Sequence, residues 1–523
     1  NVTFNNIVVT SGGLVLTGNI SDVTAAFVAG LPANLSGVGI SAGAGSITLG
    51  VSGANFSDLG TNPSTLTLAG TTDTYSGGTT VYKGTLIGGA TNAFGVGALT
   101  VDGGTVELNT FGQSVTDVTG TGGTIENSGA SSATLTMNQT TSDAYSGAIT
   151  DGGAGSLALT DNNGGFNQTL SGALSYSGNT TLDGGGTLQI SGTNNDTLGG
   201  SITDSGTDYL TVGDGTHAAN LTVDGSVTVN GAITVNTGST LTDGLTTPLM
   251  TLDGQWNVHG ASSVGDLNGP GQVDMEANLT VTPSAADALT GSTNITGASA
   301  GAELVVDGTD SGSLTLDGAN TYAGATDIRN NGDLALGASG SITSPTITVE
   351  SGSTFDVTQV SGGFTLGASA AQELDGNGTV KGSFTVGPNG NLSPGDAVGP
   401  MYVTGSVALD GTLSLQVDPD TTGVNDELIA TGNVTEGGLL DVTATNGDPF
   451  TAGEMYNLIS ANSFFDVFTS IELPTLGAGL TWNLTQTNND LLLSVANTPE
   501  PTPLALIAIG GMGLLLRGRK KKA

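Results

Sequence analysis

Short runs in which apolar and polar residues alternate recur along the whole chain, and they constrain its fold more than any other feature. Leu14-Val-Leu-Thr17, Leu66-Thr-Leu68, Leu99-Thr-Val101, Leu221-Thr-Val223, Ile347-Thr-Val349 and Leu413-Ser-Leu-Gln-Val417 are examples. A period of two sends successive side chains to opposite faces of an extended strand. Each run is closed by Gly with Asn, Asp or Ser, as in Asp102-Gly-Gly104, Asp183-Gly-Gly185 and Asn331-Gly332. These residues tolerate positive φ and end strands in tight turns. Strands this short bury no apolar face singly, but stacked as coils about 4.8 Å apart they share one continuous core. The expected fold is all-β: a right-handed parallel β-helix, or β-solenoid, of roughly 20 to 25 residues per coil with Thr and Asn ladders along it. No stretch before Pro499 has a helical period; Ala370-Ala-Gln-Glu-Leu374 comes nearest and is expected to lie in a loop.

Composition supports this and excludes several functions. Only 10% of the 523 residues are charged, 4% are aromatic and 87 are Gly, which suits neither a set of packed globular cores nor antiparallel sandwiches. A hydrophobic share of 36% is too high for a solvated disordered chain. The net charge of −38 comes from 46 acidic and 8 basic residues. Five of those eight (Arg517, Arg519, Lys520, Lys521, Lys522) crowd the last seven positions, leaving Lys83, Arg329 and Lys381 for the body. Such a body does not neutralise phosphates, so nucleic acid is excluded as a partner. The absence of Cys removes disulfides, thiolate metal sites and Cys nucleophiles together. The chain opens at Asn1 in a strand-like stretch, the start expected once a signal peptide has been removed or where the beginning is missing.

The clearest units share an order of residues. One runs Leu66-Thr-Leu-Ala-Gly70, Tyr75-Ser-Gly77-Gly-Thr79-Thr-Val81 and Gly84-Thr-Leu86. Another contains Leu314-Thr-Leu316, Tyr322-Ala-Gly324-Ala-Thr326-Asp-Ile328 and Gly332-Asp-Leu334. A third has Tyr176-Ser-Gly178-Asn-Thr-Thr-Leu182 and Gly186-Thr-Leu188, and a related lead-in occurs at Tyr145-Ser-Gly147-Ala-Ile149. This pattern resembles the autotransporter-associated β-strand repeat of bacterial passenger domains. The resemblance implies a β-helical passenger displayed outside the cell. The repeat region is taken as 1–378, followed over 379–498 by a more apolar segment that resembles the capping end of autotransporter passengers. Only 24 residues (523 minus 499) follow Pro499, too few for a translocating β-barrel, so export by that route is not expected.

The final segment, 499–523, has three parts. Pro499-Glu500-Pro501-Thr-Pro503 holds the backbone extended. Residues 504–516, carrying Leu504, Leu506, Ile507, Ile509, Leu514, Leu515 and Leu516, form an apolar run of 13. As a transmembrane helix it would measure about 20 Å, short against a hydrocarbon core of about 30 Å. Arg517, Arg519, Lys520, Lys521 and Lys522 then provide a basic stop. The arrangement resembles the PEP-CTERM sorting signal of Gram-negative bacteria. That resemblance implies an exosortase-type processing enzyme as partner, transient inner-membrane anchoring, and a host that makes exopolysaccharide.

Little else in the sequence carries chemistry. Arg329, between Asp327 and Asn330, reads as a solvated turn, and His217 and His259 as isolated side chains. Carboxylates sit almost entirely beside Gly or Asn, where they serve turns and solubility. Turns such as Asp161-Asn-Asn-Gly164, Asn194-Asn-Asp196 and Asp375-Gly-Asn-Gly378 offer hard oxygen ligands, which supports weak incidental Ca2+ binding and no dedicated cofactor or metal site. The stretch Leu249 to Gln272, with Trp256, His259 and Pro270, interrupts the repeat and is expected to fill core rather than form a ligand patch. The expected function is that of an exported, non-enzymatic structural or adhesive surface or matrix protein, associated with exopolysaccharide and biofilm. The alternatives are a polysaccharide-acting β-helix lyase or glycosidase and a membrane-anchored periplasmic solenoid.

Overall fold

The computed structural model describes residues 65–498 apart from 71–72, 244–248, 285, 290–293, 309–311, 396–397 and 422. It also describes 46–49 and the backbone of six short strands before residue 45. The expected apolar run 504–516 and the rest of the sorting segment 499–523 lie outside the described residues. The chain forms two units, one of Asn1–Phe364 with Gly378–Lys381 and one of Thr365–Asn377 with Gly382–Ala523.

The first unit is a parallel β-solenoid. In one coil the chain passes through Ala133–Asn138, Asp143–Tyr145 and Ala148–Gly152, three strands that belong to three different sheets. Leu157–Asn162 then returns onto Ala133–Asn138 in parallel register, 24 residues later (157 minus 133). Most polar positions of the alternating runs face out and the apolar positions face in. Leu66, Leu86, Val106, Ile125, Ile149 and Leu174 thus stack into one interior file in consecutive coils, each at most 1% exposed. Burying each such side chain stabilises by about 1.5–3 kcal/mol, and the register is fixed because a one-residue slip would turn the whole file outward. The expected polar ladders form outside: Asn162 donates to Asn138 (3.0 Å), Asn220 to Asn195 (2.9 Å), and Thr100 meets Thr119 (3.0 Å).

In the second unit Gln372–Gly376, Gly390–Pro394, Thr412–Val417, Leu439–Ala444 and Ser470–Glu472 stack in parallel. The segment expected to lie in a loop is therefore partly strand. Gln372, Leu374 and Gly376 alternate inward, and the short Ala-rich run ahead of them had hidden that period. The parallel pattern ends where Asp490–Asn497 pairs antiparallel with both Met455–Ser460 and Leu480–Gln486. Trp482 holds this hairpin through Nε1–H to Pro474 O (2.8 Å) and an edge-on contact with Phe450 at 4.9 Å. No α-helix occurs among the described residues, and none of them forms a helix long and apolar enough to cross a membrane.

Candidate functional site: the repeat core and the outward hydroxyl faces

The repeat signature is an internal device. Thr79, Thr180 and Thr326 occupy inward positions within apolar files, between Ile47 and Leu99, Leu159 and Ile202, and Leu304 and Ile347 respectively. A hydroxyl placed there needs a partner. The tyrosine four residues earlier supplies it around the corner: Tyr75 at 2.6 Å, Tyr176 at 2.8 Å and Tyr322 at 2.5 Å. Thr79 donates onward to Phe94 O, so Tyr75 donates to Thr79. Burial drives these phenols well above the ordinary tyrosine range. The Gly two residues after Tyr admits the neighbouring coil, since a Cβ would stand 2.2 Å from Leu157 O at Gly178 and 1.4 Å from Ala302 O at Gly324. Gly77 is exposed, and Gly84 adopts a φ of 94° at the following turn. Tyr145 departs from the pattern. Ile149 stands where the Thr would be, the phenol reaches only Ala148 O at 3.4 Å, and a Cβ on Gly147 would strike the Tyr145 ring itself.

The outward faces of the first unit carry two unbroken files that the sequence shows only as scattered Thr and Ser. One is Thr150, Ser175, Thr197, Thr222, Thr242, Ser263 and Thr280. The other is Ser114, Thr136, Thr160, Thr181, Thr203, Thr228 and Thr251. Seven rungs at the parallel-strand spacing span roughly 29 Å. Neither file contains a charge, although the chain carries −38. Acidic groups such as Asp102, Asp224 and Asp253 stand in the bends instead. Each file is therefore a charge-free row of donors and acceptors bordered by carboxylates, among them Asp183 on the strand of Thr181 and Glu126 in register with Thr150.

The other candidates resolve into structural roles. Arg329 pairs with Asp307 (3.1 Å) and Asp327 (3.4 Å), ahead of Asn330 and Asn331, whose positive φ makes the turn. His217 and His259 each meet their own carboxylate, Asp214 at 2.8 Å and Asp274 at 3.9 Å. Trp256 is fully buried, so it fills core as expected. Carboxylates do pair, as in Asp117 with Asp143, whose carboxyl is raised by burial and by its hydrogen-bonded neighbour Asp117, and in Asp420 with Asp448. Direct hydrogen bonding leaves no room for a sugar between them, where a retaining pair stands about 5 Å apart. Among the described residues no three His, Cys, Asp or Glu side chains gather as a metal set. The expectation that carboxylates sit almost entirely at turns fails at Asp161, which is inward between Met137 and Leu182. Burial, with Asp208 adding repulsion, pushes its carboxyl up to about 7. Nothing in the alternation betrays it, because an acidic residue in an inward slot is indistinguishable from a turn residue until the register is known.

Comparison with known proteins agrees with this geometry. The profile of the passenger-associated-transport-repeat family matches residues 61–87, 167–190 and 309–336. These are the segments that hold the three Tyr–Thr pairs; the Tyr145 segment, which lacks the Thr, is not among them. No curated protein sequence matches the chain. Among solved structures, the Hap adhesin of Haemophilus influenzae aligns with a TM-score of 0.40 and 14% identity, over 92% of this chain and 64% of that one. This chain thus spans under two thirds of that protein's length, in a likeness too loose to bear on function. What is established is a parallel β-solenoid that carries passenger-associated-transport repeats.

Proposed function

We propose that the protein is an exported, non-catalytic adhesive or structural protein of the cell surface, whose outward faces hold uncharged polysaccharide. The observation that carries this reading is the pair of charge-free hydroxyl files on a strongly anionic body. An anionic glycan would be repelled by the bordering carboxylates, whereas a neutral chain laid along a file meets a hydroxyl at each rung. The passenger-associated repeats support export. Sorting would rest on Pro499, Glu500 and Pro501, recognised by an exosortase-type enzyme, with the apolar run and basic end lost on processing into an exopolysaccharide matrix. Co-sedimentation with insoluble neutral β-glucan and with a polyuronate tests the reading. Binding to the first alone is expected, weakened at least about tenfold by a variant with Asp in both files, Thr181→Asp and Thr203→Asp in one and Thr197→Asp and Thr222→Asp in the other. Equal binding of that variant, or preference for the polyuronate, would refute it. Intact mass of the secreted protein tests the sorting step: a species ending near Pro499 is expected, and one retaining Ala523 in the membrane would overturn it.

A further inference from the structure

Inside the first unit, one corner holds a concentration of oxygen acceptors without donors. Asp161 Oδ1, Asn163 Oδ1 and Asp208 Oδ2 are all buried and make no hydrogen bond, and their residues are at most 1% exposed. The donors at hand are already used. Asn163 Nδ2 donates to Asp161 Oδ2 at 3.3 Å, and the backbone N–H groups of Gly185 and Gly186 donate to Asp208 Oδ1 at 2.7 and 3.1 Å. Asn163 Oδ1 and the bonded Asp208 Oδ1 meet at Gly186, where a Cβ would stand 2.2 Å from Asn163 Oδ1, and the free Asp208 Oδ2 lies 3.1 Å from where a Cβ on Gly206 would stand. Asp208 in turn acts electrostatically on Asp161. Nearby Asp204 shows how a buried carboxylate is otherwise accommodated. It accepts from three backbone N–H groups, those of Gly206, Asn230 and Gly231. Asp161 has no such set.

Two carboxylates in a low-dielectric interior are costly without a counter-charge. The ion pairs of His217, His259, Arg329 and Lys381 use other acids: Asp214, Asp274, Asp307, Asp327 and Asp356. We propose that Asp161, Asn163 and Asp208 form an internal site for one hard divalent cation of the calcium class, enclosed as the coils stack. The charges balance, two carboxylates against one dication. The donor set is oxygen only, two carboxylates and a carboxamide, which is the chemistry that selects calcium over softer metals. Gly186 leaves the approach free of a side chain.

A sealed site fills during folding, so the test is refolding. The full chain is unfolded in urea with chelator and refolded with or without CaCl2. It is then gel-filtered, and its metal content and thermal midpoint are measured. TbCl3 provides a second readout, with emission sensitised through Tyr176, whose phenol feels Asp161. Wild type is expected to retain about one calcium per chain and to melt higher when refolded with it. Asp161→Leu, which continues the apolar file of Met137 and Leu182, should retain none and lose the calcium dependence. Asp208→Asn, which keeps an acceptor for Gly185 and Gly186, should do the same and carries the test if the first variant fails to fold. Equal midpoints and no retained metal in wild type would overturn the proposal. So would retention undiminished in both variants, which would place the ions on exposed carboxylates.

Discussion

Thr180→Val isolates the bond that defines the repeat. The substitution keeps the shape of the side chain between Leu159 and Ile202 but leaves the Tyr176 hydroxyl, 2.8 Å away and buried, without its partner. An orphaned buried hydroxyl costs about 1–3 kcal/mol, offset by about 0.8 kcal/mol for the added apolar group, so a net loss of about 1–2 kcal/mol is expected. Tyr176→Phe should cost a similar amount by stranding the Thr180 hydroxyl. The double variant removes both polar groups and should return to within about 0.5 kcal/mol of wild type, because replacing both partners by apolar groups is nearly neutral. Urea unfolding supplies the four free energies, and hydrogen exchange at Leu159 and Ile202 localises the effect, since coils interact only with their neighbours. Tyr145→Phe is the internal control: its hydroxyl lies 3.4 Å from Ala148 O, and its loss should cost under about 0.5 kcal/mol. A coupling near zero for Tyr176 with Thr180, or a cost at Tyr145 equal to that at Tyr176, would refute the account of the signature.

Further expectations follow from the interior. Burial raises Asp161 and Glu436 to about 7 and Asp196 and Asp426 to about 6, so between pH of about 4 and 7 the folded state binds more protons than the unfolded. Stability in chelator should therefore fall as pH rises through that window, and Asp161→Leu should flatten the slope; urea midpoints that rise or stay level would contradict this. Gly324→Ala, whose Cβ would stand 1.4 Å from Ala302 O, should cost at least about 3 kcal/mol, whereas Gly301→Ala, with nothing within 4 Å, should cost under about 0.5 kcal/mol by the same unfolding assay. Trp482→Ala removes the hydrogen bond to Pro474 and the contact with Phe450, and should lower stability by about 1–3 kcal/mol while exposing the Met455–Ser460 strand to hydrogen exchange.

Alternation and turn chemistry made the strands legible because each is a local signal: a period of two over four or five residues, then Gly with Asn or Asp. The Tyr–Thr spacing was legible as a pattern, but its meaning required the corner. Only in three dimensions does a residue four positions away become the partner of an inward hydroxyl. The same dependence on register explains what was missed. Thr181 and Thr203 are unremarkable in sequence and become neighbours only when coils stack. Gln372 looked helical beside two alanines and is a strand because Leu374 has a core to enter.

Asp161 shows the same limit from the opposite side, since no local rule separates a carboxylate that ends a strand from one that points into the file next to Met137. In a solenoid the strand pattern is written in each coil, whereas both candidate sites exist only between coils. A sequence read coil by coil therefore recovers the scaffold and leaves the surfaces and the interior chemistry to the stacking. The three repeat matches mark the same divide. They cover the segments whose Tyr–Thr pairs hold corners together, and they leave unmarked most of the outward hydroxyls on which any ligand would rest. The proposed recognition of polysaccharide would thus be free to vary between coils without disturbing the residues that keep the coils in register.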